Sequence, residues 1–215
     1  MDTSGTEKCQ VLNLWTCPRS LSTALTMSFA QRPDTKIFDE PIMSHFLRVT
    51  GKEYTDGDTI GQTHDPDGEV AMQNVFNFNT GKKLHWVKNM PHNWVEMDNK
   101  KWFSKMDHLF LLRKTEDMVR SYTKLRQEFE PSDLGYKALW EMYNDLNENY
   151  GYKPLIIKTE ELQDNPELVL KAVCAKYNLE FYPQMLSWTE GGHQDLIKLE
   201  NSWYGSVTKS TGWKP

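Results

Sequence analysis

Residues 14–25, LWTCPRSLSTAL, join what reads as a buried strand to what reads as a helix through an arginine, a proline and several hydroxyls. A strand-to-helix crossing of this kind suits an anion. Helix N-terminal amides and the helix dipole favour a phosphate, and Arg19, Ser20, Ser22 and Thr23 add side-chain donors beside the Leu21 and Ala24 backbone. A plainer reading makes Ser20 a helix cap and Arg19 a surface charge, and these residues alone leave both open. The loop is not a Walker A, which requires G-x-x-x-x-G-K-[ST]: it has no glycine, and arginine stands where lysine would. A triphosphatase also needs an acid for magnesium. Asp39 in KIFDE imitates one, so a magnesium-dependent kinase stays open as an alternative, as does a catalytically silent nucleotide-binding protein.

The elements that must position this loop follow from apolar patterning. Short runs at Val11–Trp15, Lys36–Asp39, Leu84–Lys88, His108–Leu112 and Pro154–Lys158 read as strands. Between them lie stretches long enough for crossover helices, which predicts a mostly parallel sheet of about five strands with helices on both faces. Leu21, Ala24, Leu25 and Phe29 recur at helical spacing after the loop. Asn165-Pro166-Glu167 opens a second helix with a capping residue and a first-turn proline, placing Leu168, Val169, Ala172 and Val173 on one face. Residues 51–68, rich in Gly, Asp and Thr, read as a long loop. In an open parallel sheet ligands bind at the carboxyl ends of the strands, where TCPRSLSTAL leaves the first one.

Composition bounds the function. A chain of 215 residues with 38% apolar and 26% charged residues reads as one globular domain over residues 1–215, with residues 1–10 expected disordered and 191–215 an irregular tail. A net charge of −5 argues against nucleic-acid or anionic-membrane binding, because no global field attracts a polyanion. Three cysteines (Cys9, Cys17 and Cys174) form neither a disulfide framework nor a zinc site, which favours a reducing compartment. No apolar run approaches the ~18 residues of a membrane span. The polar start MDTSGTEKCQ is unlike a signal peptide, so the expected address is the cytoplasm.

TCPRSLSTAL resembles the 5′-phosphosulfate loop of sulfotransferases, roughly Pro-[Lys/Arg]-Ser-Gly-[Ser/Thr]-[Ser/Thr]. LFLLRKTEDMVRSYTK, residues 109–124, resembles the family's 3′-phosphate element, a strand ending in arginine and then a helix with serine eight residues on; Arg113 and Ser121 have that spacing. The geometry is coherent in itself, because a strand-end arginine and a serine two turns into the next helix make a second anion site about one nucleotide from the first. The alternative for Arg113 is a salt bridge with Glu116 or Asp117. PLIIKTEELQDNPELVLKAVCAKYNL, residues 154–179, is similar to the family's late strand, acidic turn and helix. The resemblance covers about residues 11–180 in order. It implies a three-layer P-loop-like α/β fold, 3′-phosphoadenosine 5′-phosphosulfate (PAPS) as donor and adenosine 3′,5′-bisphosphate (PAP) as product, with no metal.

The same resemblance implies site roles. Arg19 bears on the transferring group, and an acceptor hydroxyl (less readily an amine) needs a base. Glu40 in IFDEP matches the position at which some branches place a catalytic glutamate, and the proline after it favours an extended exit. His92 in VKNMPHNW is the rival, although aligning Lys88 with the family lysine puts Met90 where animal enzymes have histidine. Lys88 is a candidate cation near the transferring group or else a surface lysine; His85, inside a strand, reads as structural. VTKSTGWKP resembles a segment that clamps the 3′-phosphate, which nominates Lys209, Ser210 and Gly212, with Trp203 and Trp213 as adenine platforms or tail anchors. Leu21 stands where most of the family has glycine. Leucine resists positive φ, so the loop is expected to turn with ordinary dihedrals or to pack Leu21 inward. The acceptor is expected to be a small molecule, with residues 51–68, 74–79 and 102–106 as candidate pocket walls.

Overall fold

In a computed structural model, residues 9–53, 57–196 and 203–213 are described. Five strands, β1 (Gln10–Thr16), β2 (Thr35–Asp39), β3 (Leu84–Asn89), β4 (Asp107–Leu112) and β5 (Leu155–Lys158), form a sheet in the order β2-β3-β1-β4-β5. Every pairing is parallel. The helices are α1 (Ser22–Ala30), α2 (Met43–Thr50), α3 (Gly57–Thr63), α4 (Gly68–Asn77), α5 (Asn99–Trp102), α6 (Thr115–Tyr122), α7 (Tyr136–Tyr150), α8 (Thr159–Asp164), α9 (Pro166–Lys176) and α10 (Gly205–Thr208). The connection leaving β1 runs toward β2, while the one leaving its neighbour β3 runs the other way to β4. The crevice of an open α/β sheet opens at such a point.

Both faces of the sheet are buried, and the alternation of side chains sorts them into two cores. Leu12, Leu14, Leu84, Trp86, Leu109 and Leu111 face a core shared with Leu25 and Phe29 of α1 and Leu170 and Val173 of α9. Val11, Trp15, Val87 and Phe110 face the other, with Met72 and Val75 of α4, Met118 and Tyr122 of α6, and Leu139, Met142 and Leu146 of α7. The polar interruptions are paired across strands: Asn89 Nδ2 donates to Asn13 Oδ1 at 2.8 Å. His85 is spent as a structural residue, its Nδ1 2.7 Å from the Val75 carbonyl and its Nε2 2.8 Å from Thr80 Oγ1.

Several sequence-based expectations need correction. Residues 57–63 are α3 rather than loop. One apolar residue in a polar, glycine-rich stretch leaves no visible period, yet Ile60 is buried in the first core. Residues 54–56 lie outside the described residues, as do 1–8 of the segment expected to be disordered, whereas Gln10 already belongs to β1. On α9 the buried face is Leu170, Val173 and Cys174, not the Leu168-centred one; Leu168 is 69% exposed. The two stripes overlap by one residue, and only the position of the sheet selects between them. Val75, Phe76, Trp102, Phe103 and Met106 pack in or against the second core instead of lining a ligand pocket. Phe76 and Trp102 stack with ring centroids 5.3 Å apart.

His108 gives the fold a titratable element. Trp15 Nε1 can only donate, so His108 Nδ1, 3.1 Å away, accepts and carries no proton, while Nε2 donates to the Phe103 carbonyl at 3.0 Å. Burial pushes its pKa down to about 4. A folded pKa below the unfolded value means that the unfolded chain binds more protons between the two. The contribution is therefore complete above about pH 6.5 and is lost as pH falls toward 4. By NMR, the His108 Cε1 proton is expected to keep a neutral-imidazole shift down to pH 5, with urea stability falling over the same interval. A His108 shift titrating near pH 6.5 contradicts this.

Candidate functional site

The sheet edge formed by the carboxyl ends of β1, β2, β3 and β4 opens into a cavity of about 370 Å³, of the size that takes a small ligand. Its floor is the start of α1. Leu21 is the N-cap residue at φ 65°, and no side chain caps this helix. Its first amides are left for something else, and Ser22, Thr23 and Ala24 all line the cavity. The expectation that Leu21 would avoid positive φ is thus overturned. Arg19 (φ 61°) and Glu40 (φ 50°) share this conformation. The region disfavours residues with a Cβ by about 1–2 kcal/mol each. Three such residues around one cavity mark a strained backbone held by its surroundings, as functional sites often are.

The loop is fastened from behind. Ser20 is fully buried and its hydroxyl donates to the Cys17 carbonyl at 2.7 Å, so its side chain braces the loop and does not reach the cavity. Thr159 Oγ1 donates to the Ser20 carbonyl at 2.7 Å, and Glu160 Oε1 accepts the Lys114 amide at 3.0 Å just ahead of α6. The turn after β5 therefore ties both candidate anion loops to one scaffold, which gives residues 158–161 a mechanical purpose. Cys17 below the loop is buried, and desolvation pushes its thiol up to about 12, so it stays protonated and inert.

The two candidate phosphate elements meet. Arg19 Nε donates to Ser121 Oγ at 3.1 Å, its Nη1 donates to the Trp203 carbonyl at 2.7 Å, and Arg113 Nη1 donates to the Arg19 carbonyl at 2.5 Å. The Arg113 salt bridge weighed from sequence does not form; Asp117 pairs with Arg120 instead. Neither Arg19 nor Arg113 has a carboxylate partner among the described residues. Burial, and then the Arg113 charge, depress the Arg19 pKa. Two close guanidinium groups without an acid make a place where an anion is stabilised.

Beside them lies a buried ionic cluster. Lys88, at 0% side-chain exposure, is no surface lysine: its Nζ lies 2.7 Å from Asp39 Oδ1 and 3.0 Å from Glu40 Oε1. Burial works to lower its pKa, but the two carboxylates outweigh that and hold it above the usual lysine value. It also donates to Tyr204 Oη at 2.8 Å and lies 3.4 Å from Thr23 Oγ1. Glu40 lines the cavity, and Asp39 does not. A carboxylate already bound to Lys88 and Tyr204 is poorly placed as the magnesium ligand of the kinase alternative.

His92 lines the same cavity from a 3₁₀ turn, Pro91–Asn93. Burial and the Lys52 charge lower its pKa to about 4, so it is neutral at pH 7. Its Nδ1 is buried without a hydrogen-bond partner. The ring fits because residue 135 is glycine, at φ 73°, where an added Cβ would fall 2.6 Å from Nδ1.

The C-terminal segment forms the remaining wall. Its described part is ordered: α10 is followed by a β-bridge between Ser187 and Gly212, and Trp188 packs edge-on against Trp213 at 5.7 Å. Ser210 and Gly212 line the cavity, while Lys209 is exposed and does not. Trp203, against Tyr122 at 5.6 Å, and Trp213 both line it. Trp213 Nε1 is buried with no partner, a donor suited to a ligand. Tyr204 was not singled out from sequence, and no local pattern marks it.

The chain belongs to the sulfotransferase domain family, whose sequence pattern matches residues 10–215. It is similar to the branched-chain-amino-acid aminotransferase-like protein 1 of Arabidopsis thaliana, 32% identical over 206 residues that make up 95% of this chain and 36% of that protein. This chain thus spans about a third of the length of that relative. Among solved structures, the sulfotransferase domain from the curacin biosynthetic pathway matches with a TM-score of 0.57 at 14% identity, covering 95% of this chain and 84% of the other. Mouse sulfotransferase SULT7A1, complexed with PAP, matches at 0.52 and 11%, over 82% and 61%. The fold is the P-loop-like α/β fold of these sulfotransferases.

Proposed function

We propose that this domain transfers a sulfuryl group from PAPS to a hydroxyl, less readily an amine, of a small-molecule acceptor, in the cytoplasm and without nucleic acid or membrane as partner. The observation that carries the reading is that Arg19 and Arg113, unpaired with any described carboxylate, stand over the uncapped start of α1 in the same cavity as Lys88 and Glu40. When bound, PAPS supplies the sulfuryl group and a phosphate leaving group.

The donor set fits such a ligand. The α1 amides, Ser22 and Thr23 hold the 5′ end; Arg113, Ser121 and Arg19 hold the 3′-phosphate; and Trp203 and Trp213 offer faces to the base. Lys88 neutralises charge that develops on the leaving oxygen. Glu40 takes the proton of the acceptor hydroxyl as its oxygen forms the new bond to sulfur and the bond from sulfur to the phosphate oxygen breaks. Glu40 is preferred to His92 as the base because it stands beside Lys88 on the cavity wall, next to the start of α1.

Calorimetry with adenosine 3′,5′-bisphosphate in excess EDTA tests the reading. Saturable binding is expected, and Arg113→Ala should weaken it by about 10–100-fold, the loss of a charge-assisted pair. Labelled donor should then pass its sulfuryl group to an alcohol from an acceptor panel, with no dependence on magnesium. No bisphosphate binding, or turnover that needs ATP and magnesium, overturns it.

A further inference from the structure

Asp39 and Glu40 are adjacent carboxylates on one lysine, yet only Glu40 faces the cavity. What separates them is Tyr204, a residue 116 positions from Lys88 in sequence. Its hydroxyl has one proton to give. The short contact is to Asp39 Oδ2 at 2.8 Å, and Glu40 Oε1 lies farther off at 3.4 Å. The oxygen accepts from Lys88 Nζ at 2.8 Å, and the ammonium also sits 4.8 Å from the centroid of the Tyr204 ring. Hydrogen bonds therefore run Lys88 to Tyr204 to Asp39. The Asp39 side chain is 1% exposed and that of Glu40 11%.

We infer that Tyr204 is a positioning residue: by bridging Lys88 to Asp39 it locks the ammonium and turns Asp39 into a buried counter-ion. Glu40 keeps its contact to Lys88 and the longer one to Tyr204 on the same oxygen, Oε1, which leaves Oε2 for the acceptor. Burial, with Asp39 and Glu40 close by, holds the phenol well above its usual pKa, so it remains a donor across the working pH range. Tyr204 also begins the segment that contributes Ser206, Val207, Ser210, Gly212 and Trp213 to the cavity wall. The same bridge thus ties the wall of the nucleotide cavity to the base. Removing the hydroxyl should disturb chemistry far more than nucleotide binding, because its contacts reach Lys88, Asp39, Glu40 and Thr23 but not Arg19, Arg113 or Ser121.

The role in turnover rests on the sulfuryl-transfer reading; the bridge itself does not. Tyr204→Phe keeps the ring and deletes the bridge. In the full chain labelled with ¹⁵N-lysine, the Lys88 ammonium, assigned by its loss in Lys88→Met, should show slow proton exchange that becomes at least 10-fold faster in Tyr204→Phe. Bisphosphate affinity should stay within about 3-fold, and kcat should fall at least 10-fold with acceptor KM within about 3-fold; the conservative Phe rules out simple loss of packing. Unchanged exchange overturns the inference whether or not the protein transfers sulfuryl groups. Faster exchange with unchanged kcat in an active protein overturns its catalytic part. A wild-type chain that binds no bisphosphate, with the exchange effect intact, sinks the sulfuryl-transfer reading and leaves the bridge standing.

Discussion

Glu40→Gln is expected to lower kcat by about 10²–10⁴-fold, the usual contribution of a positioned general base, while leaving bisphosphate affinity within a few-fold. The replacement keeps the shape of the side chain and its capacity to accept a hydrogen bond from Lys88, but the amide cannot take a proton from the acceptor. Backbone geometry should survive, since the Glu40 amide donates to the Lys88 carbonyl at 2.8 Å and the Met43 amide returns to the Glu40 carbonyl at 2.9 Å. Asp39 still neutralises Lys88, so the ion pair does not collapse. Single-turnover transfer from labelled donor, with calorimetry on the same preparation, separates the two quantities. Unchanged turnover assigns the proton to another group, and His92, on the same cavity wall, is then the next residue to replace.

Lys88→Met should cost about 3–5 kcal/mol of folding stability at neutral pH, read as a shift in urea unfolding, because it removes the cation from two buried carboxylates. The loss is not a measure of what the ion pair contributes in itself. It is the penalty of leaving the buried Asp39 uncompensated, with a smaller part from Glu40 at the cavity wall. A double variant, Lys88→Met with Asp39→Asn, should recover part of the loss, giving a favourable coupling of more than about 1 kcal/mol. A single variant within 1 kcal/mol of wild type, about the size seen for exposed pairs, would place Lys88 in water and contradict the cluster. Under the proposed reaction the activity of Lys88→Met should fall too, since the cavity loses its buried ammonium.

Much of the frame was readable along the chain. The strands were visible because both faces of a parallel sheet are covered, so each is a compact apolar run bounded by polar residues. The two candidate anion loops were legible for a related reason: a strand-end arginine or a hydroxyl cluster at a helix start is recognisable from local sequence. Where local pattern ran out, the reading failed. Residues 57–63 form a helix around one apolar contact, Ile60. The buried stripe of α9 was misplaced because two candidate stripes compete and only the sheet chooses between them. Ser20 and Lys209 have the right chemistry for a ligand, but the first is turned inward and the second is exposed off the cavity.

The sequence by itself determined the succession of strands and loops, the residue types at the two candidate anion loops and the absence of a Walker lysine, all of which depend on residues a few positions apart. Tertiary structure alone decided that Leu21, Arg19 and Glu40 adopt positive φ, a strain that the surrounding contacts must offset. It alone brought Arg19 against Ser121, 102 residues away, and Tyr204 against Lys88. A buried charge is stable only if partners reach it from elsewhere in the chain, so the roles of Lys88, Asp39 and Glu40 are set by packing across the sheet edge.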